Sequence, residues 1–350
     1  ILSSTGQFLI SMAVFFLTLM IISGAGMFFL WNMLDTYEQS TPEGAMSDYV
    51  RLLTQQNYDL IYKRSFDGFT QWNDAQSYTA WLKNRYEGVD LQRAVFTRKS
   101  YSEDRYQYYD MLVDQKTIAT LELSWLETEN RWNARTLVED RNFSIELFSS
   151  AEVLINGMPL TETNLTDPSG RSDAYLTLKD QQQSLPVTRY HIDGLVDVPE
   201  VTVSDPNMIV VKDALQDRFY VGQRPNTQQQ QQMTQRIREA ATTYAMMISE
   251  DASFSDLRPY LYRQSETYDA LASFNNQYFS THDSVRFDNV QVTDLIVFGD
   301  GEGFMGTISF DYIVTIEGQT SRTYSSTYQM TWLDVDGEYL CSNLVIANQE

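Results

Sequence analysis

The residues able to do chemistry in this chain are few. His191 and His282 are its only imidazoles. A Ser-His-Asp or Cys-His relay needs a histidine that a carboxylate orients towards a nucleophile. "RYHIDG" sets Asp193 two positions after His191, but no nucleophile motif stands beside it. "STHDS" around His282 reads as an exposed loop between a helix and a strand. Serine-lysine acyl transfer needs Ser three residues before Lys, one helical turn away. Lys63, Lys83, Lys99, Lys116, Lys179 and Lys212 have Leu, Ala, Phe, Val, Leu and Ile there, which excludes that site. Cys341 is the only cysteine, so the chain has neither a disulfide framework nor a thiolate metal site. It reads as a small core residue in a strand.

Two acidic turns, "GDGEG" at 299–303 and "DVDGE" at 334–338, suggest calcium. A full calcium loop needs more ligands, with a bidentate Glu at its twelfth position. Asp334, Asp336 and Glu338 are matched earlier in the chain by Glu127, Glu129 and Arg131, which brings in a cation. Both segments read as solvated turns, and no metal is expected. "GDGEGFMG" lacks the Lys-Ser/Thr end of a phosphate loop, and its acids repel phosphate. Without a catalytic constellation, the expectation is a non-enzyme with no cofactor.

What remains is aromatic: 22 Tyr and 18 Phe. Tyr49, Tyr62, Trp72, Trp81 and Trp125 are candidates to line one pocket. Tyr244, Tyr268, Tyr278 and Trp332 are candidates for a second. An amphipathic aromatic pocket suits a peptide or small apolar ligand. The competing expectation is that these rings fill two cores.

The elements that would position them are legible from periodicity. Residues 8–34, "FLISMAVFFLTLMIISGAGMFFLWNML", contain no charge over 27 positions. That length is enough for a transmembrane helix, preceded by a flank at 1–7. Trp31 suits the headgroup level, and the acidic flank Asp35, Glu38 and Glu43 suits the outside of the cell. Expected, then, are a single-pass anchor in the cell membrane, the bulk of the chain outside, and an oligomer formed through the anchor. Ile1 in the first position suggests either a missing cytoplasmic segment or processing just before an apolar helix.

After the anchor, Ser40 and Glu43 have capping-box spacing and Pro42 suits a first turn. Ala45, Met46, Tyr49, Val50 and Leu53 then share a helical face. A short helix in "NYDLIYKRSF" and a third in "DAQSYTAWLKNRYEG" follow, before strand-like runs at 91–99, 105–114, 116–126 and 131–138. The last third repeats this order. A helix spans "TQQQQQMTQRIREAATTYAMMISED", with Met233, Ile237, Ala241, Tyr244 and Ile248 on one face. Two shorter helices follow, then runs at 285–298, 303–316, 320–333 and 338–346. The final hairpins match in sequence: "LSWLETENRWNARTLV" at 123–138 and "MTWLDVDGEYLCSNLV" at 330–345. This reads as a duplicated scaffold. Between the copies, 143–222 reads as a small all-β domain, with Asn156-Gly157 as a hairpin turn.

Formal net charge is −22, which argues against nucleic acid and anionic membrane surfaces as direct ligands. A neutral or cationic ligand, or another envelope protein, fits better.

Helices followed by a curved antiparallel sheet ending in a Trp-bearing hairpin resemble the NTF2-like fold. "TPEGAMSDYVRLLTQQNYDLIYKRS" is similar to NTF2-like modules of Gram-positive envelope proteins. Those include the module preceding some penicillin-binding transpeptidases and the membrane-anchored TcaA-like proteins tied to glycopeptide susceptibility. The resemblance covers roughly 41–138 and 227–346, at the level of pattern. The cytoplasmic zinc ribbon common in TcaA-like chains has no cysteines to build it here. The resemblance implies an α+β chain: an anchor, NTF2-like cones at 40–140 and 227–350, and a β domain at 143–222 between them. The expected role is a non-catalytic adaptor, sensor or accessory subunit outside the membrane. Alternatives are an enzyme using the C-terminal cone, or a filament subunit whose processed helix resembles a pilin, with Thr5 where most pilins have Glu.

Overall fold

A computed structural model describes residues 4–65, 70–101, 105–275, 282–316 and 321–347; within the first helix only part of the side chains is described. The protein is a mixed α+β chain, with seven α-helices and several sheets among the described residues. It divides into two compact units, Ile1–Asp140 and Arg141–Glu350.

In the first unit, α1 spans Ser4–Gln39, α2 Pro42–Thr54, α3 Tyr58–Ser65 and α4 Ala75–Tyr86. The α2 cap lies one residue later than the Ser40–Glu43 spacing predicts. Thr41 Oγ1 accepts from the Gly44 amide at 3.1 Å, and Pro42 opens the helix. Helix α1 runs on to Gln39, so the Ser40 hydroxyl instead donates to the Tyr37 carbonyl at 2.6 Å. Ala45, Met46, Tyr49, Leu52 and Leu53 form the buried face of α2, with Leu52 inside rather than Val50. Asp74 caps α4 by accepting from the Ser77 amide.

Strands β1 (Val95–Arg98), β2 (Tyr106–Val113), β3 (Lys116–Leu126) and β4 (Arg131–Thr136) follow as an antiparallel meander in sequence order. The run expected from 91 begins at Val95, because Asp90 caps a 3-10 turn at Leu91–Arg93.

Among the described residues, no helix is long and apolar enough to cross a membrane. The longest unbroken run of described side chains in α1 is Phe15–Trp31, 17 residues. At ~1.5 Å per residue that is about 26 Å of helix, short of a hydrocarbon core of ~30 Å. The expected transmembrane span is therefore unsupported by them. All 17 are exposed, Phe15, Ile21, Phe28 and Trp31 among them.

The second unit opens with β5 (Arg141–Leu147), β6 (Val153–Ile155), β7 (Met158–Pro159), β8 (Leu165–Arg171), β9 (Pro186–Leu195), β10 (Val201–Val203), β11 (Met208–Lys212) and β12 (Arg218–Gln223). Asn156 and Gly157 turn β6 into β7 with φ of 49° and 79°, which a side chain as short as Asn tolerates. Next come α5 (Thr227–Ile248), α6 (Phe254–Leu257), α7 (Glu266–Ala272), β13 (Ser284–Phe298), β14 (Gly303–Thr315), β15 (Arg322–Val335) and β16 (Glu338–Ile346). The glutamine tract is the start of α5, where Asn226 and Gln229 cap each other reciprocally.

One large sheet runs β16-β15-β14-β13-β12-β5-β9-β8, with β11 on β12. The boundary expected between 222 and 227 is thus crossed by the sheet itself: β12 pairs in parallel with β5, and its Gln223 lies opposite Val297 of β13. Strands β13–β15 are covered on both faces near their paired ends. Met233, Ile237 and Tyr244 of α5 pack with Phe304, Ile308, Met330 and Trp332. On the other side, Tyr175, Val211 and Tyr220 pack with Ile296, Phe298, Met305 and Leu333.

A fully buried carboxylate, Glu146, ties this arrangement together. It accepts from Ser172 Oγ at 2.7 Å, from the Asp173 amide at 3.1 Å, and from Arg189 Nη2 at 2.9 Å. Arg218 in turn bonds Asp173. The turn so held inserts Tyr175, whose hydroxyl donates to the Trp332 carbonyl at 2.8 Å.

Two outcomes are expected in denaturant unfolding. Gly303→Ala drives a Cβ into the Tyr175 hydroxyl and places it 2.7 Å from the Trp332 carbonyl oxygen. It should cost about 2–3 kcal/mol, as overpacking does, and an unchanged midpoint would refute the close approach. Glu146→Ala leaves Arg189 without its buried partner and should cost about 3–5 kcal/mol.

Candidate functional site

The aromatic residues singled out by sequence do not line the open depressions described below. In the first unit Tyr49, Trp72 and Trp81 are buried. The Tyr49 and Tyr86 hydroxyls reach Thr136 Oγ1 at 2.7 and 2.6 Å, joining α2 and α4 to the end of β4. Burial pushes the Tyr86 phenol up to about 12 and Tyr49 well above its ordinary value, so both stay neutral and bonded. Tyr78 stacks obliquely between Tyr62 and Trp81, with centroids at 5.8 and 5.5 Å. Trp125 is half-buried against Trp132.

In the second unit Tyr244 meets Tyr328 edge-on at 5.4 Å, and Tyr268 meets Phe254 at 5.3 Å. Trp332 is fully buried and stacks on Phe304 at 5.4 Å. Its Nε1–H has no hydrogen-bond partner among the described residues, a cost of about 1–3 kcal/mol that its packing must offset. Tyr278 lies outside the described residues. Of the described candidates, Tyr49, Trp72, Trp81, Tyr244 and Trp332 are buried, while Tyr62, Trp125 and Tyr268 are half-buried.

The titratable groups that do converge are at the C-terminal end of α5. Asp251 Oδ2 accepts from Ser249 Oγ at 2.6 Å, from His282 Nε2 at 2.9 Å and from the Tyr312 hydroxyl at 3.2 Å. Ser249 Oγ also touches the Tyr312 hydroxyl. The His282 side chain is only 7% exposed, so it is not the open loop residue that "STHDS" suggests. The sequence hides this because the two partners are 31 positions apart. Burial pushes the Asp251 carboxyl up, but bonds from Ser249 and His282 outweigh it and hold the group below the usual carboxylate value. Burial pushes Tyr312 up to about 12.

The bonding order here is Ser–Asp–His. In an acyl-transfer relay the histidine stands between serine and carboxylate and takes the serine proton. Here the carboxylate stands in the middle, so the cluster closes on itself as a clip between the end of α5, β14 and His282, two residues before β13. His191 is a different case: it pairs with Asp193 at 2.9 Å on the surface.

The two calcium-like turns also meet. Asp300, Glu302, Asp334 and Asp336 line one depression of about 510 Å³ with Tyr262 and Gln183. The Asp334 amide donates to the Glu302 carbonyl at 2.8 Å, and the Tyr339 hydroxyl to the Gly301 carbonyl at 2.9 Å. Among the described residues no group of three metal-ligating side chains comes together. Sequence spacing names each turn but not their adjacency, which the β14–β15 pairing creates. In the first unit, a larger depression of about 620 Å³ lies at the ends of α2 and α4, where Lys83 Nζ sits over the Tyr58 ring.

The clip makes an acid-limb prediction. A carboxyl with a folded value below its unfolded one stabilises the fold above the unfolded value of ~3.9, and that contribution fades as pH falls through the lower folded value. Asp251→Asn should cost about 1 kcal/mol near pH 6, and the gap to the parent chain should narrow as pH falls below the ordinary carboxylate value of ~3.9. Equal stability of the two chains at pH 6 would show that this cluster does not brace the fold.

The chain matches no protein-family model, no curated protein and no solved structure.

Proposed function

We propose that this protein is a membrane-anchored, non-catalytic binding or scaffold protein of the cell envelope. In this reading α1 holds two NTF2-like modules outside the membrane, where they engage another envelope protein or a neutral or cationic ligand. The observation that carries it is the surface of α1. Seventeen consecutive residues, Phe15–Trp31, are exposed and none is charged or forms a polar stripe. A helix apolar on all sides has to be enclosed by lipid or by protein, because water cannot solvate it favourably. The charge-free sequence extends over 27 residues within a continuous helical backbone, about 40 Å at ~1.5 Å per residue.

Two further observations support the non-catalytic half of the reading. Both units build helices followed by a four-stranded meander, yet their polar centres differ: Tyr49, Tyr86 and Thr136 in one, Ser249, Asp251 and Tyr312 in the other. In each, the polar atoms are spent on one another.

The test is fractionation of cells making the full chain. It should stay in the membrane pellet through an alkaline carbonate wash, and external protease should reach a C-terminal tag. Ile21→Asp with Ile22→Asp, at about 2.5–3.5 kcal/mol per charge in mid-bilayer, should release it. A chain found in the soluble fraction after gentle lysis would sink the anchor. Membranes solubilised in mild detergent should yield the protein with a partner; a solitary monomer under all conditions would sink the scaffold role.

A further inference from the structure

One face of β13–β15 is divided between two uses. On β15, Gln329 is buried: its Oε1 accepts from the Ala214 amide at 2.9 Å, and its Nε2 donates to the Lys212 carbonyl at 3.1 Å. Two and four residues earlier on the same face, Thr327 and Ser325 lie outside that cover, at the edge of a depression of about 500 Å³. The strand register sets two parallel rungs across it. One is Gln291, Ser309 and Thr327; the other is Asp311 opposite Ser325, joined by Asn289.

Asn289 reaches this rung because β13 is bulged. The register shifts between Asp288 and Gln291, and Asn289 has φ of 54°. Such a bulge re-aims one side chain. Asn289 Nδ2 donates to Asp311 Oδ2 at 2.6 Å, while Ser325 Oγ donates to Oδ1 at 2.7 Å. Those two bonds hold the Asp311 carboxyl below the usual carboxylate value, so it remains a pure acceptor. Its oxygens retain lone pairs beyond the two used. Among the described residues, the side chains of Gln291 and Ser309 have no hydrogen-bond partner.

We propose that this depression binds a neutral saccharide. The two rungs carry a carboxylate, two carboxamides and three hydroxyls, and no cation or apolar side chain. Nothing there neutralises a phosphate or sulfate, and a net charge of −22 repels both. Phe310 also lines the depression, but it is only 2% exposed and packs into the core with α5, so it offers little apolar anchor to a lipid or a peptide. Sugar hydroxyls donate and accept at once, which matches fixed acceptors beside amide donors. The volume falls within the ~300–1,000 Å³ range of small-ligand sites. The absence of an aromatic platform on these rungs makes the expected affinity millimolar. This inference does not rest on the anchor or on any protein partner.

Ligand-observed saturation-transfer NMR on the full chain in detergent micelles tests it. Chitotetraose and cellotetraose are the neutral probes; a heparin tetrasaccharide and an oligolysine peptide are the charged controls. At least one neutral probe should bind. Gln291→Ala and Asp311→Ala should each weaken it about tenfold. Both positions are outside the buried core, and an unchanged near-ultraviolet circular dichroism spectrum confirms the fold of each variant. Silence from both neutral probes at about 10 mM overturns the proposal. So does sugar binding that survives both substitutions, or substitutions that abolish only oligolysine binding.

Discussion

A carboxylate with no access to water has to be met by donors, and in this protein Glu146 is that group. The cost of burying an unpaired charge is far larger than any single packing contact, so the chain has to bring its partners to it. Arg189 arrives on β9 directly opposite, and the Ser172–Asp173 turn arrives from the loop after β8. Arg218 arrives on the parallel strand β12 and secures Asp173. The turn thus fixed delivers Tyr175 to the Trp332 carbonyl, where Gly303 leaves the space a side chain would fill. Strand β12 then carries the sheet into β13. One buried charge thereby sets how the first half of the second unit meets the four-stranded meander.

The repeated hairpin acquires different roles in its two settings. Trp125 and Trp332 occupy the same place in matching sequences. Trp125 stands opposite Trp132 and remains half-buried. Trp332 stands opposite Cys341, after a register shift at Thr331, and is sealed between Phe304 and the α5 side of the sheet. The turns diverge too. Glu127–Asn130 makes a four-residue loop, while Asp336-Gly337 makes a two-residue turn with both φ positive, at 55° and 86°. What the two units share is a four-stranded meander packed with helices. Their differences are polar and sit at the tips and at the helix ends.

That division bears on function. A duplicated catalytic site would repeat its charged groups, but the hydroxyls and carboxylates here brace each unit differently. Tyr49 and Tyr86 lock β4 through Thr136, whereas Asp251 gathers Ser249, His282 and Tyr312. In the proposed reading, the net charge of −22 would keep the chain off anionic surfaces.

The sequence by itself determined the elements. Charge-free length predicted α1 as a helix, apolar alternation located eight strands of the two meanders to within a few residues, and Asn156-Gly157 named the turn between β6 and β7. These signals are local: each depends on side chains two to four positions apart, or on the φ a single residue tolerates. Where local signals competed, they misplaced an edge, as at Ser40, whose hydroxyl serves the end of α1 instead of the start of α2. Only the tertiary structure decided that β12 would bind β5 and β13 into one sheet, that His282 would turn inward to Asp251, and that the acidic turns at 299–302 and 334–337 would share a depression. The physical reason is that a strand's pattern states which face is apolar but not which strand lies beside it. The partner of a buried charge such as Glu146 is chosen by the geometry of the whole sheet, across dozens of residues that leave no periodic trace.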